Sequence, residues 1–346
     1  MRLEIQNINK IKEADIALNG LTVIVGENDM GKSTIGRAFF SIIKAVSNMR
    51  SLSNESSANK ASKHIDSLYK HFYGKKIIDG TMDLLPRVKS EMERICQDEA
   101  ERNAFLDHLN AKIEDIDLSP RQKSLLKEDI VNIRICFDQV NNPAAVLKME
   151  LAYLVESEFM GQFCSSKSEL TYVMLDTEEE GKLSFKAKDN QVTNVSFSER
   201  GFYEDITYVE SPLYFHLLDS LKSSVAYREM KRTLGYKPMV PAHVKDFVDK
   251  VLNFQNFDTQ LSLLEPQSKD FHTADIIHGT FAYDKSSRSI VYQKDGMKIK
   301  PINVASGIKS FGALQLLLDG YCISNNRPLI WDEPENHLHP QWQVEF

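Results

Sequence analysis

Residues 23–34, VIVGENDMGKST, constrain this chain more than any other stretch of it. An apolar segment runs directly into residues 26–33, which fit the pattern G-x-x-x-x-G-K-[ST] of a phosphate-binding loop between a strand and a helix. Gly26 and Gly31 allow the backbone to fold tightly enough for its N–H groups to converge on phosphate oxygens. The helix that begins near Lys32 adds its positive N-terminal dipole. The stretch therefore predicts a nucleotide phosphate site.

Each position of this loop has an expected role. Lys32 is predicted to lie against the β- and γ-phosphates, and the hydroxyl of Ser33 is a ligand suited to Mg²⁺. A turn that merely matches the pattern is the alternative, which the apolar segment before the loop and the amphipathic helix after it disfavour. The predicted nucleotide contacts are Gly26, Glu27, Asn28, Asp29, Met30, Gly31, Lys32, Ser33 and Thr34.

A second motif lies near the end of the chain, where residues 328–335 read PLIWDEPE. This is a short apolar strand that ends in two adjacent acids, Asp332 and Glu333. Successive side chains of a strand point to opposite faces, so the two acids can serve different tasks. We expect Asp332 to hold Mg²⁺ near Ser33, and Glu333 to orient or deprotonate the water that attacks the γ-phosphate.

Composition narrows the class of protein. A chain of 346 residues, 42% of them hydrophobic and 26% charged, can bury a core large enough for two lobes. Its net charge of -7 argues against a protein that coats nucleic acid through bulk positive charge. A basic run at residues 222–237 is either a phosphate-contacting patch or, as charge runs more often are, a solvated helix face.

The chain carries no sequence signal for a membrane or for an oxidising compartment. Its N-terminus lacks the apolar core of a signal peptide, and no run reaches the ~18 apolar residues of a membrane span, so we predict a cytoplasmic protein that does not contact membranes. The cysteines form no C-x-x-C pair, which predicts reduced core thiols and neither a zinc site nor a disulfide framework. They are Cys96, Cys136, Cys164 and Cys322.

Hydrophobic periodicity and turn residues divide the chain into strands and helices. Residues 21–25, continuously apolar, are predicted to be a strand buried on both faces. Residues 2–8 alternate polar and apolar side chains, which predicts a half-buried strand, and residues 188–190 mark a hairpin turn. The other predicted strands are residues 14–18, 170–175, 183–187, 191–197, 205–209, 276–283, 289–293, 297–302 and 328–331. Helices are predicted after Lys32, after Pro86, Pro120 and Pro143, and at residues 213–230, 241–254 and 309–324, with a loop at residues 47–62. Because no heptad is sustained among the helices before residue 165, a packed helical subdomain is favoured over a coiled-coil arm.

A third motif, NVASGIKS, occupies residues 303–310. It reads as a Ser-Gly turn that caps a helix, and serine at such a position is common for structural reasons alone. Its position one helix upstream of the acid pair gives it a second interpretation. In ABC-type ATPases this is the place of the signature segment, which contacts the γ-phosphate bound by another subunit.

Together the segments LEIQNINKIKEADIALNGLTVIVGENDMGKST, ASGIKSFGALQLLL and PLIWDEPENHLHP resemble the ABC-type head ATPases related to SMC, RecF and the OLD nucleases. More narrowly, they resemble the bacterial AAA15/AAA21-type ATPases of anti-phage defence systems. The resemblance covers both ends of the chain and little of residues 45–270. It implies an α/β fold, that of an ABC/SMC-head-like P-loop ATPase with a mixed sheet, an antiparallel β subdomain and a large helical insertion.

The predicted elements, together with the resemblance, give a domain organisation. Its parts are an N-terminal half of the ATPase lobe with the phosphate loop (1–46), a helical insertion (47–165), antiparallel strands of the ATPase lobe (166–212), a helical subdomain (213–275), and the signature segment with the acid pair (276–346).

What the resemblance implies for the site is an ATP sandwich. The phosphate loop and the acids Asp332 and Glu333 of one copy would face Ser306 and Gly307 of another, with ATP and Mg²⁺ between them. Residues 335–340 would lie at the dimer seam. For the histidines in this segment, His337 and His339, an interface or capping role is favoured over metal binding.

Three departures from the family pattern bear on activity. Ile308 stands where the better-known signature has a second glycine. Residues 208–211, YVES, occupy the place of the glutamine that senses Mg²⁺ and the γ-phosphate, so this sensor is unassigned. The sequence ends at Phe346, before the helix, strand and switch histidine that follow in such heads. We therefore expect either a truncated chain or a longer protein, and weak or absent hydrolysis by this chain with nucleotide binding retained.

Two functional classes follow from the resemblance, with a third beside them. In the first, an ATPase dimerises around ATP and controls a nuclease or toxin, as a partner or a further domain, in anti-phage defence, with nucleic acid as a ligand it can sense. In the second, a DNA-repair or recombination head acts directly on DNA. In the third, nucleotide stabilises an oligomeric scaffold with little turnover.

Overall fold

The computed structural model describes residues 1–54, 95, 99–115, 123, 126–127, 129–134, 143–165, 170–216, 218, 240–253, 273–287, 289–336 and 338–345. In chain order the strands are Arg2–Ile8 (β1), Ile11–Ala17 (β2), Thr171–Asp176 (β3), Lys182–Lys188 (β4), Gln191–Ser198 (β5), Thr207–Val209 (β6), Thr280–Asp284 (β7), Ser289–Lys294 (β8), Met297–Ile299 (β9) and Leu329–Trp331 (β10). The α-helices are Lys32–Asn54 (α1), Glu99–Asp115 (α2), Pro143–Phe159 (α3), Ala242–Asn253 (α4), Thr273–Ile277 (α5), Ser306–Asp319 (α6) and Pro340–Glu345 (α7), and short 3-10 helices lie at Pro212–His216 and Pro301–Asn303.

The chain divides into two units. The first contains residues 1–47, 151–232 and 236–346 and holds all the strands just named. The second contains residues 48–150 and 233–235, and its described residues are helical. The apolar side chains buried in this second unit include Leu106, Leu109, Ile113, Ile130 and Leu147.

A five-stranded antiparallel sheet with the order β2-β1-β3-β4-β5 is the largest sheet of the first unit. The alternation that predicted β1 is confirmed, because Leu3, Ile5 and Ile8 are fully buried. The predicted hairpin between β4 and β5 is also confirmed. Its two turn residues, Asp189 and Asn190, both have positive φ, as the tight turns that match the twist of paired strands require.

Strands β6 and β10 form a separate parallel pair, in which Tyr208 lies opposite Ile330. A three-stranded antiparallel sheet of β7, β8 and β9 lies beside helix α6. The side-chain amide of Gln315 on α6 accepts from the backbone N–H of Phe281 at 2.9 Å and donates to its carbonyl at 3.1 Å. A Cβ at Gly312 would lie 2.3 Å from the Phe281 ring, so only glycine allows α6 this close to β7.

Two lysines and two aspartates fasten helix α4 to α1 and to the start of β6. Lys44 lies 2.7 Å from Asp205 and 2.5 Å from Asp246, and Lys250 lies 2.9 Å from Asp205 and 2.8 Å from Asp246. Lys250 also donates to the carbonyl of Ile206 at 2.7 Å. The four charges balance, which is the condition under which buried ions are tolerated.

The predicted buried strand at residues 21–25 is wrong. The segment forms no strand, and the exposed fractions of Leu21, Val23 and Val25 are 92%, 71% and 84%. A buried strand needs a neighbour for its backbone groups, and none of the strands in the described part of the chain pairs with this segment. Its apolar, β-branched residues therefore do not by themselves produce a strand.

Several other boundaries differ from the predictions. Helix α1 continues through Asn54 where a loop was expected from residue 47, because the buried Val46 and Met49 continue its apolar stripe. The predicted strand 276–283 begins only at Thr280, after helix α5, and the predicted strand 297–302 ends at Ile299, since Pro301 opens a 3-10 helix. Helix α6 spans Ser306–Asp319, three residues earlier at its start than predicted. The predictions for residues 55–62 and for the basic run 222–237 lie outside the described residues. Of the four residues that predicted the helix after Pro86, the structure describes Ile95, which is helical.

Mixed α/β content with antiparallel sheets is confirmed. Among the cysteines that the structure describes, Cys322 is buried and Cys164 is half-buried, and both are free. The other two, Cys96 and Cys136, lie outside the described residues. Of the helices in the described ranges, none combines the length and the apolar character needed to cross a membrane.

Candidate functional site

The phosphate loop has the backbone that its sequence predicts at one of its two glycines. Gly31 has a φ of +89°, and a Cβ there would lie 2.7 Å from Cγ1 of Ile11 at the start of β2. Asp29 is also left-handed, with a φ of +68°. Gly26 does not have a positive φ, and a Cβ there would meet nothing within 4 Å. Glycine was expected to be required at both positions. The backbone conformation requires it at Gly31 and does not require it at Gly26.

Lys32 is the first residue of helix α1, and its ammonium group lies over its own loop. It donates hydrogen bonds to the carbonyls of Gly26 at 2.7 Å and of Glu27 at 2.9 Å. Lys10, at the turn between β1 and β2, forms an ion pair with Asp29. Contacts from Lys32 and Lys10 thus hold the start and the middle of the loop, and the role of Lys32 toward phosphate stays a prediction.

The two acids after β10 occupy different surroundings. Asp332 is half-buried, and its Oδ2 accepts a hydrogen bond of 2.8 Å from the hydroxyl of Tyr208. Glu333 is exposed, has a φ of +45°, and accepts from the side-chain amide of Asn336 at 2.5 Å. A positive φ in a residue other than glycine is uncommon and clusters at functional sites. The separate tasks predicted for the two acids remain a prediction, and their separate partners are consistent with it.

Helix α1 contacts the strand pair that carries the acids. A Cβ at Gly36 would lie 3.4 Å from Cγ2 of Ile330 and 3.7 Å from the hydroxyl oxygen of Tyr208. That hydroxyl bonds Asp332, and Ser33 lies one turn before Gly36 on the same helix face. The structure therefore brings the helix that carries Ser33 and the strand end that carries Asp332 to one place.

The residues present fit a Mg²⁺ ion that is coordinated partly by the protein and partly by the phosphates of a nucleotide. Ser33 and Asp332 offer hydroxyl and carboxylate oxygens, the hard donors that Mg²⁺ prefers. In the described part of the chain no three histidine, cysteine or acidic side chains group together as a metal cage would require. Mg²⁺ commonly takes only one or two protein ligands and completes its shell with phosphate oxygens and water.

The signature segment differs from the prediction in one respect. Ser306 is the first residue of helix α6, and the N-cap is Ala305, which makes no side-chain capping bond. The predicted capping by Ser306 is therefore wrong. Gly307 is buried at the same helix start. Within the part of the chain that is described, no hydrogen bond or ion pair joins Ser306 or Gly307 to the loop or the acids.

Glu210, one of the residues 208–211 that occupy the place of the expected glutamine sensor, is a half-buried member of a charge network. Its Oε1 lies 2.5 Å from Arg37 of α1, and its Oε2 lies 3.1 Å from Nε2 of His243 and also accepts from Tyr214. The hydrogen bond from His243, with those from Tyr214 and the charge of Arg37, lowers the pKa of Glu210 to about 2 against the effect of burial. Glu210 is thus committed to this network, and the sensor remains unassigned.

His243 lies at the centre of this network, and each of its two ring nitrogens contacts a carboxylate. Its Nδ1 lies 2.7 Å from Oε2 of Glu158, so each ring nitrogen faces a carboxylate, and both can donate only when the ring is protonated. Burial alone would lower the pKa of His243, but the hydrogen bonds to Glu158 and Glu210 raise it to about 9.

This histidine predicts a stability that depends on pH. Because its pKa in the folded chain exceeds the ordinary value of 6.5, its stabilisation is complete below pH 6.5 and is lost as the pH rises through about 9. We expect the free energy of unfolding to fall by about 1 to 3 kcal/mol over this interval, at 1.36 kcal/mol per pKa unit. Urea unfolding at closely spaced pH values measures this, with His243→Gln as the control. If the free energy of unfolding depends on pH in the same way for the variant and the wild type, His243 is not the group responsible.

The sequence did not reveal the residues that hold this site together. Tyr208 and Asp332 are 124 positions apart, and Glu158 and His243 are 85 positions apart. The one signal for Tyr208 was a tyrosine in a predicted strand, since a phenol that becomes buried usually bonds a partner. Of the two histidines considered as metal ligands, His337 lies outside the described residues. The ring of His339 accepts from the N–H of Gln341 at 3.3 Å, in keeping with the capping role that was favoured.

A phosphate-binding loop whose helix packs against a parallel strand that ends in two acids is typical of P-loop nucleoside triphosphatases. The family model of the AAA ATPase domain AAA_15 matches residues 1–346, and the chain belongs to this family. The predicted resemblance to AAA15-type ATPases is thereby confirmed, and membership indicates ATP binding and hydrolysis. No curated protein and no solved structure matches the chain.

Proposed function

We propose that this chain is an ABC-type head ATPase that binds ATP with Mg²⁺, dimerises around it and hydrolyses it. The observation that carries the proposal is the contact of helix α1, through Gly36, with the strand pair that ends at Asp332. It puts the loop lysine, the Ser33 hydroxyl and the acid pair at the ends of adjoining elements. The family match over residues 1–346 supports ATP as the nucleotide.

The roles of the chain's own residues follow from their positions. Lys32 and the loop N–H groups hold the phosphates, while Ser33 and Asp332 would hold Mg²⁺, which neutralises charge on the β- and γ-phosphates when bound. Glu333, which is exposed and has a different partner from Asp332, would take a proton from the attacking water. The N–H groups at the start of α6, beside Ser306, would contact the nucleotide of a second copy.

The proposed output of the ATP cycle is control of a nuclease or toxin, as a partner or a further domain, in anti-phage defence. Its support is the combination of the three motifs, which resembles that group of ATPases. A repair or recombination head acting directly on DNA would instead show strong ATP-dependent binding to DNA ends by the protein alone. Gel-shift measurements with and without ATP separate these outputs.

The mass of the full-length protein in solution tests the sandwich. We expect the mass to double when a non-hydrolysable ATP analogue and Mg²⁺ are added together, and to remain that of the monomer with either alone. Ser306→Arg should retain analogue binding and lose the mass increase, because a long cation would obstruct the start of α6. The matched control is Ser198→Arg, at an exposed site at the end of β5. A wild-type protein that binds the analogue and keeps its mass would refute the sandwich.

A further inference from the structure

Tyr208 connects the two parts of the proposed Mg²⁺ site. It lies opposite Ile330 in the parallel pair, and its side chain is fully buried. Strands rise about 3.3 Å per residue, so Asp332 lies roughly 6.6 Å beyond the residue that pairs with Tyr208. A tyrosine reaches along the strand over this distance, and its hydroxyl donates to Oδ2 of Asp332 at 2.8 Å. A phenylalanine would fill the same space without this contact.

The ring of Tyr208 is held on several sides. Its centroid lies 4.7 Å from that of His243 and 6.3 Å from that of Phe40. A Cβ at Gly36 would lie 3.7 Å from its hydroxyl oxygen, which shows that helix α1 packs directly over the donor. Because the ring has little room to turn, its hydroxyl is a fixed donor, and a fixed donor orients the carboxylate that accepts from it.

The chemistry of this donor suits a carboxylate that must keep its charge. A lysine or arginine in the same place would neutralise Asp332 and compete with a cation, whereas a phenol donates a hydrogen bond and stays uncharged. Arg37, also on α1, is paired with Glu210 at 2.5 Å.

We propose that Tyr208 is a positioning residue for Mg²⁺: it holds one carboxylate oxygen of Asp332 so that the other faces the ion bound with the nucleotide. This inference rests on the proposed function, because it takes Asp332 as a metal ligand. Partners that orient a metal ligand from behind typically change metal affinity by about 10- to 100-fold when they are lost.

The test is the affinity of the full-length protein for a fluorescent ATP analogue, titrated with Mg²⁺ and measured separately in EDTA. Tyr208→Phe removes the hydroxyl and keeps the ring. We expect it to raise the Mg²⁺ concentration needed for half-maximal tight binding by about 10- to 100-fold, and to leave the affinity in EDTA within about twofold. In an Asp332→Asn background the same substitution should add no further shift, because the two groups act as one pair.

Tyr292→Phe is the matched control. Tyr292 lies in a different sheet, on β8, and its buried hydroxyl donates to the carbonyl of Ile277 at 2.5 Å. It should leave the Mg²⁺ titration unchanged. Overlapping titrations for Tyr208→Phe and wild type would overturn the inference, and so would an equal loss of affinity with Mg²⁺ and with EDTA. A wild-type protein whose analogue binding ignores Mg²⁺ would overturn the metal assignment itself. Because that outcome is seen without any variant, the two failures are distinguishable.

Discussion

Replacing Lys32 by alanine is expected to weaken ATP binding by about 100-fold, or about 2.7 kcal/mol, the size of one or two hydrogen bonds to a charged group. Two contributions are lost together. The ammonium group would no longer contact the phosphates, and it would no longer hold the carbonyls of Gly26 and Glu27. Isothermal titration calorimetry with ATP and Mg²⁺ measures the change directly.

The same substitution should leave the fold nearly unaffected. The hydrogen bonds of Lys32 are made to its own exposed loop, and substitutions away from the core usually change stability by less than about 0.5 kcal/mol. The control is Lys12→Ala, which removes an exposed lysine from β2 and should bind ATP as the wild type does. If Lys32→Ala binds ATP as tightly as Lys12→Ala, residues 26–33 are not the phosphate site.

Local patterns in the sequence were sufficient for features whose causes are local. The letters of residues 26–33 predicted the start of α1 at Lys32, and the pair Asp189 and Asn190 predicted the turn between β4 and β5. Alternation along residues 2–8 predicted which side chains of β1 are buried. In each case the spacing of a few neighbouring residues determines the backbone, so no distant partner has to be known.

Residues 21–25 show where such patterns stop being sufficient. Their apolar, β-branched character is typical of a buried strand, but a strand also requires a second backbone to pair with. The pairing of β1 with β3, in which Leu3 lies opposite Leu175, is equally non-local and was not predicted. Periodicity describes how a segment would bury its side chains, and it does not identify the partner.

In the candidate site, too, some residues could be predicted from local patterns and others could not. Its motif residues, Lys32, Ser33, Asp332 and Glu333, were predicted because phosphate and metal chemistry restrict the residue types and their spacing. The groups that orient them were not predicted, because hydrogen bonds such as that from Tyr208 to Asp332 join residues far apart in the chain. A supporting residue needs only to reach its partner, so it carries no fixed sequence pattern.

The roles of the two acids are separated by a substitution that keeps the shape of the site. Glu333→Gln is expected to lower ATP turnover by the full-length protein about 10²- to 10⁴-fold, the usual contribution of a general base. Glutamine retains an oxygen that can accept from Asn336, so the turn at Glu333 with its φ of +45° should persist. ATP affinity should therefore stay within about threefold of the wild type, because a general base acts on the attacking water in the transition state and does not hold the phosphates.

A chain that binds ATP and cannot hydrolyse it should accumulate in the ATP-bound form. We therefore expect Glu333→Gln to form a stable dimer with ATP and Mg²⁺, measured as mass in solution beside phosphate release. Glu13→Gln makes the same chemical change at an exposed position of β2 and should match the wild type in both measurements. Unchanged turnover together with no trapped dimer would show that Glu333 is not the base. A loss of ATP affinity as large as the loss of turnover would mean that Glu333 acts through the structure of the loop and not on the attacking water.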